Sequence, residues 1–413
     1  MVPRPLQGHA TDMKKKNDLR VSYAHAVFGD RERAAVQKVL STPQIVAGKR
    51  AAEFEKKIAG LFKKKYGLLV NSGSSANLLA IECLDLPANS EVITPVVTFA
   101  TTVAPLVKRT LVPVFADVDP RTYQIDIGQV EGLIGKKTKA IIVPSLFGNI
   151  PDLPRLQKIA KKHGLYLIED SCDTLGARIA GKPTGSFADI STTSFYASHI
   201  ITACGEGGMV CFNDEELHQS ARMLAGWGRR SALNETEDIK VRYGARIDGI
   251  EYDSKFIFSR VGYNLRTTDV VAAFGLVQLT RLKAFQSIRQ RRYRELLKFF
   301  APYERFLILP KQGKNVVTAW MAFPLTVRRG APFSRRDIAT FLEKNNIQTR
   351  PVFTGNILRQ PGFKKIKHRA RPGGYPVADD ITRRGFVFAC HHGLTDLHMK
   401  KLKRVFTEFL SRF

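Results

Sequence analysis

The sequence predicts an α/β protein in which helices cover a mostly parallel central sheet. Short apolar segments typical of buried strands alternate with segments whose apolar residues recur at helical spacing, and small or polar residues follow several of these strands. The 413 residues suffice for two domains, and 44% apolar with 25% charged residues is ordinary for a globular chain. We expect a large domain over residues 1–285 and a smaller C-terminal α+β domain over 286–413.

Individual elements follow from the same patterns. Helical spacing predicts helices at 28–40, 50–65, 78–86, 153–163, 269–300, 335–345 and 397–410. Apolar runs predict strands at 66–70, 91–95, 111–116, 140–144, 166–170, 320–327 and 386–390. Residues 227–260 are polar, contain Gly turns and lack clear periodicity, so we interpret them as an insertion.

The net charge of +28 is unusually basic. Such a charge can attract nucleic acid, can draw in an anionic substrate such as a nucleotide diphosphate, or can reflect a basic proteome. The basic residues are spread along the chain, with clusters at 63–65, 289–294 and 364–371, and no zinc finger or RNP-type aromatic motif accompanies them. Specific nucleic-acid binding is therefore not expected.

The sequence lacks the patterns of a membrane span, a secretory signal and a disulfide framework. No apolar run of about 18 residues is present, so no membrane span is expected. The polar residues 1–16 lack the apolar centre of a secretory signal, and we expect a cytoplasmic protein. The five cysteines match neither a disulfide framework nor a CxxC zinc pattern, namely Cys83, Cys172, Cys204, Cys211 and Cys390.

The predicted strand at 66–70 runs into a small-residue turn, 71–77, before a helical segment. A strand, a tight turn and a helix together direct backbone N–H groups and the helix dipole at a phosphate. Ser74 and Ser75 would add hydroxyl donors, although a serine-rich helix cap accounts for the same residues.

Asp170 directly follows the apolar residues of a predicted strand. Ligands of open α/β sheets bind at the carboxyl ends of the strands. A carboxylate there could cap the next helix, or it could pair with a buried cationic nitrogen such as a protonated pyridine. The residues alone leave both interpretations open.

Six motifs together resemble, in order and spacing, the sugar aminotransferases of the DegT/DnrJ/EryC1/StrS type. They are SGSSAN (72–77), TFATT (98–102), the strand ending in Glu-Asp (169–170), SFYASH (194–199), GEGGM (205–209) and GYNLR (262–266). The resemblance covers about residues 20–410. It implies the fold-type-I architecture of pyridoxal-phosphate (PLP) enzymes, with a mostly parallel sheet in the large domain.

The resemblance assigns cofactor-binding roles by position. Ser74, Ser75 and Ser194 would hold the cofactor phosphate. Phe99 would stack on the pyridine ring, and Asp170 would pair with the pyridine nitrogen, which keeps the ring able to accept electrons. For Phe99, ordinary core packing stays open as an alternative.

The resemblance also implies that Asn264 reaches the phosphate of a neighbouring subunit, so that a homodimer completes each site. A local turn is the alternative role of this residue.

His199 stands where the aminotransferases of this family carry the lysine that bonds the cofactor. Histidine cannot form a Schiff base, but its ordinary pKa of about 6.5 suits proton transfer at neutral pH. The sugar 3-dehydratases form a subgroup with histidine at this position. EDSCDTLG (169–176) resembles their EDxCDxLG pattern, and Asp173, which is His or Gln in many aminotransferases, therefore favours the same subgroup. The resemblance also implies that Asp173 is one of the cofactor-binding residues.

This resemblance implies non-covalent pyridoxamine phosphate (PMP), a nucleotide-linked 4-keto-6-deoxyhexose as substrate, loss of the C3 hydroxyl with His199 as acid–base group, and glutamate as amino donor. One 3-dehydratase type also holds a [2Fe–2S] cluster on four cysteines. Counted from Cys172, its pattern would need cysteines where this chain has Arg230, Ala232 and Lys240. We therefore expect PLP or PMP as the cofactor and no metal.

Two alternatives remain. The first is a nucleotide-sugar aminotransferase of the same family with an exchanged base. The second is a non-enzyme, either a cofactor-dead or a nucleic-acid-binding scaffold. Retention of Asp170 and of the serines favours a working site.

Overall fold

The computed structural model describes residues 19–233 and 238–413. The polar N-terminus, 1–16, and residues 234–237 of the predicted insertion lie outside the described residues. In the described part of the chain, no helix has both the length and the apolar character needed to span a membrane.

The helices and strands of these two ranges follow one another in the alternation that the sequence predicts. The α-helices are α1 (Asp30–Leu40), α2 (Lys49–Leu61), α3 (Gly73–Glu82), α4 (Ala100–Lys108), α5 (Ile127–Val130), α6 (Leu153–Lys162), α7 (Glu215–Ala225), α8 (Ile239–Arg242), α9 (Asp269–Thr280), α10 (Leu282–Phe300), α11 (Arg335–Lys344), α12 (Pro376–Arg384) and α13 (Asp396–Leu410). The strands are β1 (Tyr66–Val70), β2 (Glu91–Pro95), β3 (Val112–Ala116), β4 (Thr138–Pro144), β5 (Tyr166–Asp170), β6 (Arg178–Ile179), β7 (Lys182–Pro183), β8 (Ile190–Ser194), β9 (Gly208–Phe212), β10 (Ala245–Ile247), β11 (Ile250–Tyr252), β12 (Leu307–Ile308), β13 (Val316–Val317), β14 (Ala322–Val327), β15 (Thr349–Pro351) and β16 (Gly385–Ala389).

A seven-stranded sheet in the order β1-β9-β8-β5-β4-β2-β3 forms the centre of the large region. Its pairs are parallel except those of β9, which is antiparallel to both β1 and β8. The predicted mostly parallel sheet is therefore confirmed. The carboxyl ends of β4, β5 and β8 lie side by side, which brings the residues after these strands to one edge.

Strands β8 and β9 have no counterpart among the predicted strands. The residues of β8 are Ile-Ser-Thr-Thr-Ser, a composition that does not indicate a buried strand, yet all five are buried. The two threonine hydroxyls are satisfied internally, since Thr192 donates to the side-chain oxygen of Asn77 and Thr193 donates to the Ser171 carbonyl. Buried polar groups are tolerated where such partners exist.

Three helix boundaries differ from the prediction. Helix α3 begins at Gly73, inside the predicted turn, because the Ser72 side chain caps it by accepting from the Ser75 N–H at 3.1 Å. Helix α2 ends at Leu61, and Lys63 adopts a left-handed φ of 57° that ends any helical course. The predicted helix over 269–300 is divided into α9 and α10.

The C-terminal region carries its own antiparallel sheet, ordered β12-β14-β16-β15, with α11, α12 and α13 around it. One apolar cluster joins this sheet to the large region, since it runs from Val97 and Phe147 to Phe323 and Leu402. The predicted smaller α+β region is therefore present and shares its core with the sheet that precedes it.

The predicted insertion carries only short elements in its described parts, 227–233 and 238–260. Its β10–β11 hairpin forms a two-stranded sheet of its own, and most of its residues are exposed.

The segment after β4 approaches the strand β14 closely. Phe147 is buried with a left-handed φ of 59°, and Gly148 follows with φ 87°. A Cβ on Gly148 would lie 2.7 Å from the Trp320 Cα and would also collide with the Ala319 carbonyl oxygen. Only glycine permits this approach, which leaves the Phe147 carbonyl 2.8 Å from the Met321 nitrogen.

Replacement of Gly148 by alanine should lower the free energy of unfolding by roughly 2–4 kcal/mol, because a Cβ is excluded both by φ and by the facing backbone. Gly60→Ala is the matched control, since nothing lies within 4 Å of a Cβ there. That change should stabilise α2 by roughly 0.5–1 kcal/mol. Urea unfolding of both variants measures the difference, and equal stabilities would contradict the assigned role of Gly148.

Candidate active site

A cavity of about 370 Å³ opens at the carboxyl ends of β4, β5 and β8. It is the expected place for a ligand in an open α/β sheet. It brings together six of the eight predicted site residues, namely Ser74, Phe99, Asp170, Asp173, Ser194 and His199.

The N-terminus of α3 forms one end of this cavity. Gly73 begins the helix, and a Cβ there would lie 2.6 Å from the Ser194 Cβ, so glycine is required for the contact between helix and strand. The Ser74 hydroxyl donates to Thr101 at 2.9 Å. Free N–H groups at a helix start, together with the hydroxyls of Ser74 and Ser194, are suited to a phosphate.

Ser75 does not line the cavity. Its hydroxyl donates to the Asn71 side chain at 2.6 Å, and its N–H donates to Ser72. The structure therefore places Ser75 in the helix cap, which is the alternative that the sequence left open, and its contact with a phosphate stays a prediction.

Asn264 also lies outside the cavity. It is exposed and forms a β-bridge with Gly226. Its predicted contact is with a second subunit, so the single chain does not test it.

Asp170 ends β5 and is 4% exposed. One carboxylate oxygen accepts from Asn77 at 2.8 Å and from Thr102 at 2.9 Å, and the other accepts from the Cys172 N–H at 3.2 Å. No α-helix follows Asp170 before β6. The helix-cap interpretation is therefore wrong, and the carboxylate is held rigidly at the cavity wall.

Phe99 forms an open aromatic wall of the cavity. Its side chain is 51% exposed, and its ring meets the ring of Phe353 edge-on, with centroids 6.1 Å apart. Phe353 stacks on Phe147 with centroids 4.6 Å apart. The core-packing alternative for Phe99 is therefore wrong, because the ring faces space that a flat ligand can fill.

His199 lies in the loop between β8 and β9, with its side chain 15% exposed. Its Nε2 is 3.9 Å from a carboxylate oxygen of Asp173, and its Nδ1 is buried without a hydrogen-bond partner. Burial lowers the pKa of His199 to about 4; the Ser194 backbone opposes this shift, and the Arg289 guanidinium adds a smaller lowering.

Asp173 is 8% exposed, and its second oxygen accepts from the Phe147 N–H at 2.9 Å. Burial raises the pKa of this carboxyl to about 7, and the neighbouring Asp170 adds to the rise, while the Phe147 N–H and Arg289 oppose it. The imidazole thus stays neutral while the carboxyl group holds a proton up to near-neutral pH.

Cys172 also lines the cavity, and burial raises the pKa of its thiol. Among residues 19–233 and 238–413, no cluster of three or more His, Cys, Asp or Glu side chains is placed to hold a metal ion.

These residues fit the PLP or PMP that the motifs imply. The helix N-terminus suits the phosphate, Asp170 presents a fixed carboxylate, and Phe99 offers a flat face. The unpartnered Nδ1 of His199 is a buried polar atom that a ligand or water would be expected to satisfy.

Four further residues at this site had no predicted role. Asn77 and Thr102 lie inside two of the six motifs, but their bonds to Asp170 appear only once the strands are assembled. Tyr23 lines the cavity from the N-terminal segment, and Arg289 donates to the His199 carbonyl from α10. Neither of these two lies in a recognisable pattern.

Comparisons with known proteins show which family the chain resembles. The family model described as the DegT/DnrJ/EryC1/StrS aminotransferase family matches residues 27–407. A dTDP-4-dehydro-2,6-dideoxy-D-glucose 3-dehydratase of Saccharopolyspora spinosa is 36% identical over 399 residues, which cover 94% of this chain and 86% of the relative. A GDP-4-keto-6-deoxy-D-mannose 3-dehydratase of Yersinia pseudotuberculosis is 30% identical over 89% of this chain and 93% of the relative.

Among solved structures, an Escherichia coli GDP-4-keto-6-deoxy-D-mannose-3-dehydratase with bound hydrated PLP superimposes with a TM-score of 0.84. It is 27% identical, and the match covers 93% of this chain and 98% of that one. The resemblance to 3-dehydratases and the fold-type-I architecture are thereby confirmed. The chain belongs to the DegT/DnrJ/EryC1/StrS aminotransferase family.

Proposed function

We propose that this protein is a PLP- and PMP-dependent nucleotide-sugar 3-dehydratase that removes the C3 hydroxyl of a 4-keto-6-deoxyhexose. One observation carries the proposal: His199, and not an amine, stands beside Asp173 in a cavity that also holds Ser74, Asp170 and Ser194. The similarity to relatives named as dTDP- and GDP-sugar 3-dehydratases supports the same reaction.

The cofactor, when bound, supplies an amine for the C4 carbonyl of the sugar and a ring that accepts electrons. The residues of the chain would bind and orient this cofactor. The start of α3 and the hydroxyls of Ser74 and Ser194 would hold the phosphate, Asp170 would pair with the ring nitrogen, and Phe99 would cover one face of the ring.

His199 supplies the proton chemistry. Its lowered pKa keeps the imidazole neutral at pH 7, so it is ready to accept a proton. One nitrogen is near Asp173 and the other is unpartnered, so the same ring can accept a proton and then donate it to the departing C3 hydroxyl. A positioned acid–base group of this kind contributes about 10²–10⁴-fold in rate.

Asp173 is the natural partner for that proton. Its carboxyl group has a pKa raised to about 7, and it lies 3.9 Å from the imidazole Nε2. Asp173 therefore orients His199 and exchanges a proton with it when the two groups move from 3.9 Å to hydrogen-bond distance. This proton-exchange role differs from the cofactor-binding role that the family resemblance implies for Asp173.

The aminotransferase alternative is disfavoured by the absence of an amine at position 199. The non-catalytic alternative is disfavoured because cavity, carboxylate and acid–base pair are all retained.

Further proposals concern assembly and context. We propose a homodimer in which Asn264 reaches the partner's phosphate site, a division of the chain near residue 285, and glutamate as the donor that regenerates PMP. Because the expected substrates are nucleotide-linked, we also propose a cytoplasmic location. Because Arg230, Ala232 and Lys240 replace the cysteines of the iron–sulfur pattern, we propose that the protein holds no such cluster. The net charge of +28 suits the attraction of a nucleotide diphosphate.

The reaction is tested by mass spectrometry of products formed from GDP-, dTDP- and CDP-linked 4-keto-6-deoxyhexoses with PLP and glutamate. We expect one sugar to lose the C3 oxygen, and we expect His199→Gln to lower that rate by about 10²-fold or more. An amino sugar that retains the C3 oxygen would instead assign the protein to the aminotransferases.

His199→Lys tests whether position 199 faces the cofactor aldehyde. The introduced amine should bond PLP covalently, giving a visible absorbance band that borohydride bleaches, while dehydration is lost. Ala197→Lys is the matched control, because Ala197 lies two residues away and does not line the cavity, and it should give no such band. If the His199→Lys protein still bound PLP but showed no such band, the placement of His199 would be contradicted.

Asp173→Asn tests the raised pKa through stability. Between about pH 4 and pH 7, Asp173 keeps its proton in the folded protein but has lost it in the unfolded chain. The free energy of unfolding of the wild type therefore falls as the pH rises through this range, and the loss stays constant above pH 7. Asparagine can still accept from the Phe147 N–H. The variant should therefore gain roughly 1–3 kcal/mol relative to wild type between pH 5 and pH 8.

Urea unfolding of the cofactor-free protein at both pH values measures this gain. Asp152→Asn, at the exposed cap of α6, is the control and should change stability equally at the two values. A gain for Asp173→Asn that is the same at pH 5 and pH 8 would rule out the raised pKa.

A further inference from the structure

Arg289 on α10 is a fully buried guanidinium, 0% exposed, that forms four hydrogen bonds. Its Nη2 donates to the His199 carbonyl at 3.0 Å, and its Nη1 donates to the carbonyls of Trp320 and Met321 at 3.1 and 3.2 Å. Its Nε donates to the His392 Nδ1 at 3.1 Å. Three of the four acceptors are main-chain oxygens that lie on different segments from α10.

These contacts belong to a closed path around the acid–base pair. Met321 accepts from Arg289, and the Met321 N–H donates to the Phe147 carbonyl at 2.8 Å. The Phe147 N–H donates to Asp173, which lies 3.9 Å from the His199 imidazole. The His199 carbonyl then returns the path to Arg289.

The charge of Arg289 is not matched by a carboxylate partner. None of the ion pairs among residues 19–233 and 238–413 includes it, and Asp173 is the carboxyl group whose charge acts on it. Arg289 opposes protonation of both Asp173 and His199. The other ionisable groups that face this cavity are Tyr23, Asp170, Cys172, Tyr196 and Glu206.

We propose that Arg289 is a positioning residue for the dehydration: its guanidinium holds the His199 main chain from one side and the Met321–Phe147–Asp173 path from the other, so that imidazole and carboxyl group stay within proton-exchange range. Arg289 contacts neither the cavity nor the reacting atoms, and it acts through His199 and Asp173. The expected change in kcat rests on the proposed function, whereas the contacts of Arg289 with His199 and Met321 do not.

The chain offers a matched control on the same helix. Arg292 is also buried, at 4% exposed, and its guanidinium donates to the Leu394 carbonyl and to Asp396. It has no bond to His199. Arg292→Met therefore reproduces the loss of a buried guanidinium from α10 without opening the path around the acid–base pair.

The experiment compares Arg289→Met, Arg289→Lys and Arg292→Met by kinetics and by NMR titration of ¹⁵N-labelled histidine, with the His199 signals assigned from His199→Gln. For Arg289→Met we expect kcat to fall by about 10²-fold with KM unchanged. In the cofactor-free protein its His199 should titrate at higher pH, by about half a unit or more, because an opposing positive charge is gone.

Arg289→Lys keeps the charge but lacks the planar fork that reaches several carbonyls. It should lose kcat while its His199 titration stays near that of wild type, which separates position from charge, and it carries the test if Arg289→Met does not fold. Wild-type kcat in Arg289→Lys, or an equal loss of kcat in Arg292→Met, would overturn the proposal. If the wild-type protein removes no C3 hydroxyl, the proposed function fails. The inference would be overturned separately if the His199 chemical shifts stayed at their wild-type values in both Arg289→Met and Arg289→Lys, because loss of the bond to the His199 carbonyl should move them.

Discussion

A buried arginine holds the parts of the active site together. Arg289 comes from the helix that links the central sheet to the C-terminal sheet, and it joins the loop after β8 to the chain that enters β14. Removal of a charge from water is costly unless each donor finds a partner. The planar guanidinium uses four of its five N–H groups, one on His392 and three on carbonyl oxygens of separate segments, which a single ammonium group could not span at once. The relative position of these segments is therefore tied to the arginine.

Burial also sets the proton affinities of the pair that Arg289 holds. It lowers the pKa of His199 to about 4 and raises that of Asp173 to about 7, so the ordinary order of an acid and an imidazole is reversed. At neutral pH the imidazole is then a free base and the carboxyl group retains part of its protons. Burial, which excludes water, is the largest cause of both shifts. The enclosure of the pair in the cavity therefore also sets which of the two groups holds the proton. A more open site would return both groups towards their values in water.

The sequence predicts the fold well where buried segments consist of apolar residues. Apolar strands such as β1 and β5 were placed to the residue, whereas the polar β8 was missed because its burial depends on partners in other segments, among them Asn77. The same distinction applies to the site. Six residues predicted from motifs meet in one cavity, but the Ser75 hydroxyl bonds to Asn71 outside it, and Arg289 carries no motif at all. Contacts that form only between distant segments leave no local signal in the sequence.

The loop that bears His199 shows how one fold can serve two chemistries. Its shape is fixed by main-chain bonds, from Ala197 to Gly205 and from Ala203 to Phe195, and by the bond from Arg289 to the His199 carbonyl. None of these involves the side chain at position 199. A lysine or a histidine can therefore occupy that position without a change in the loop, and the rest of the cavity can keep its hold on the cofactor. With lysine, the position provides an amine that bonds the cofactor. With histidine beside Asp173, it provides only a proton carrier, and that is the property which loss of a hydroxyl group requires.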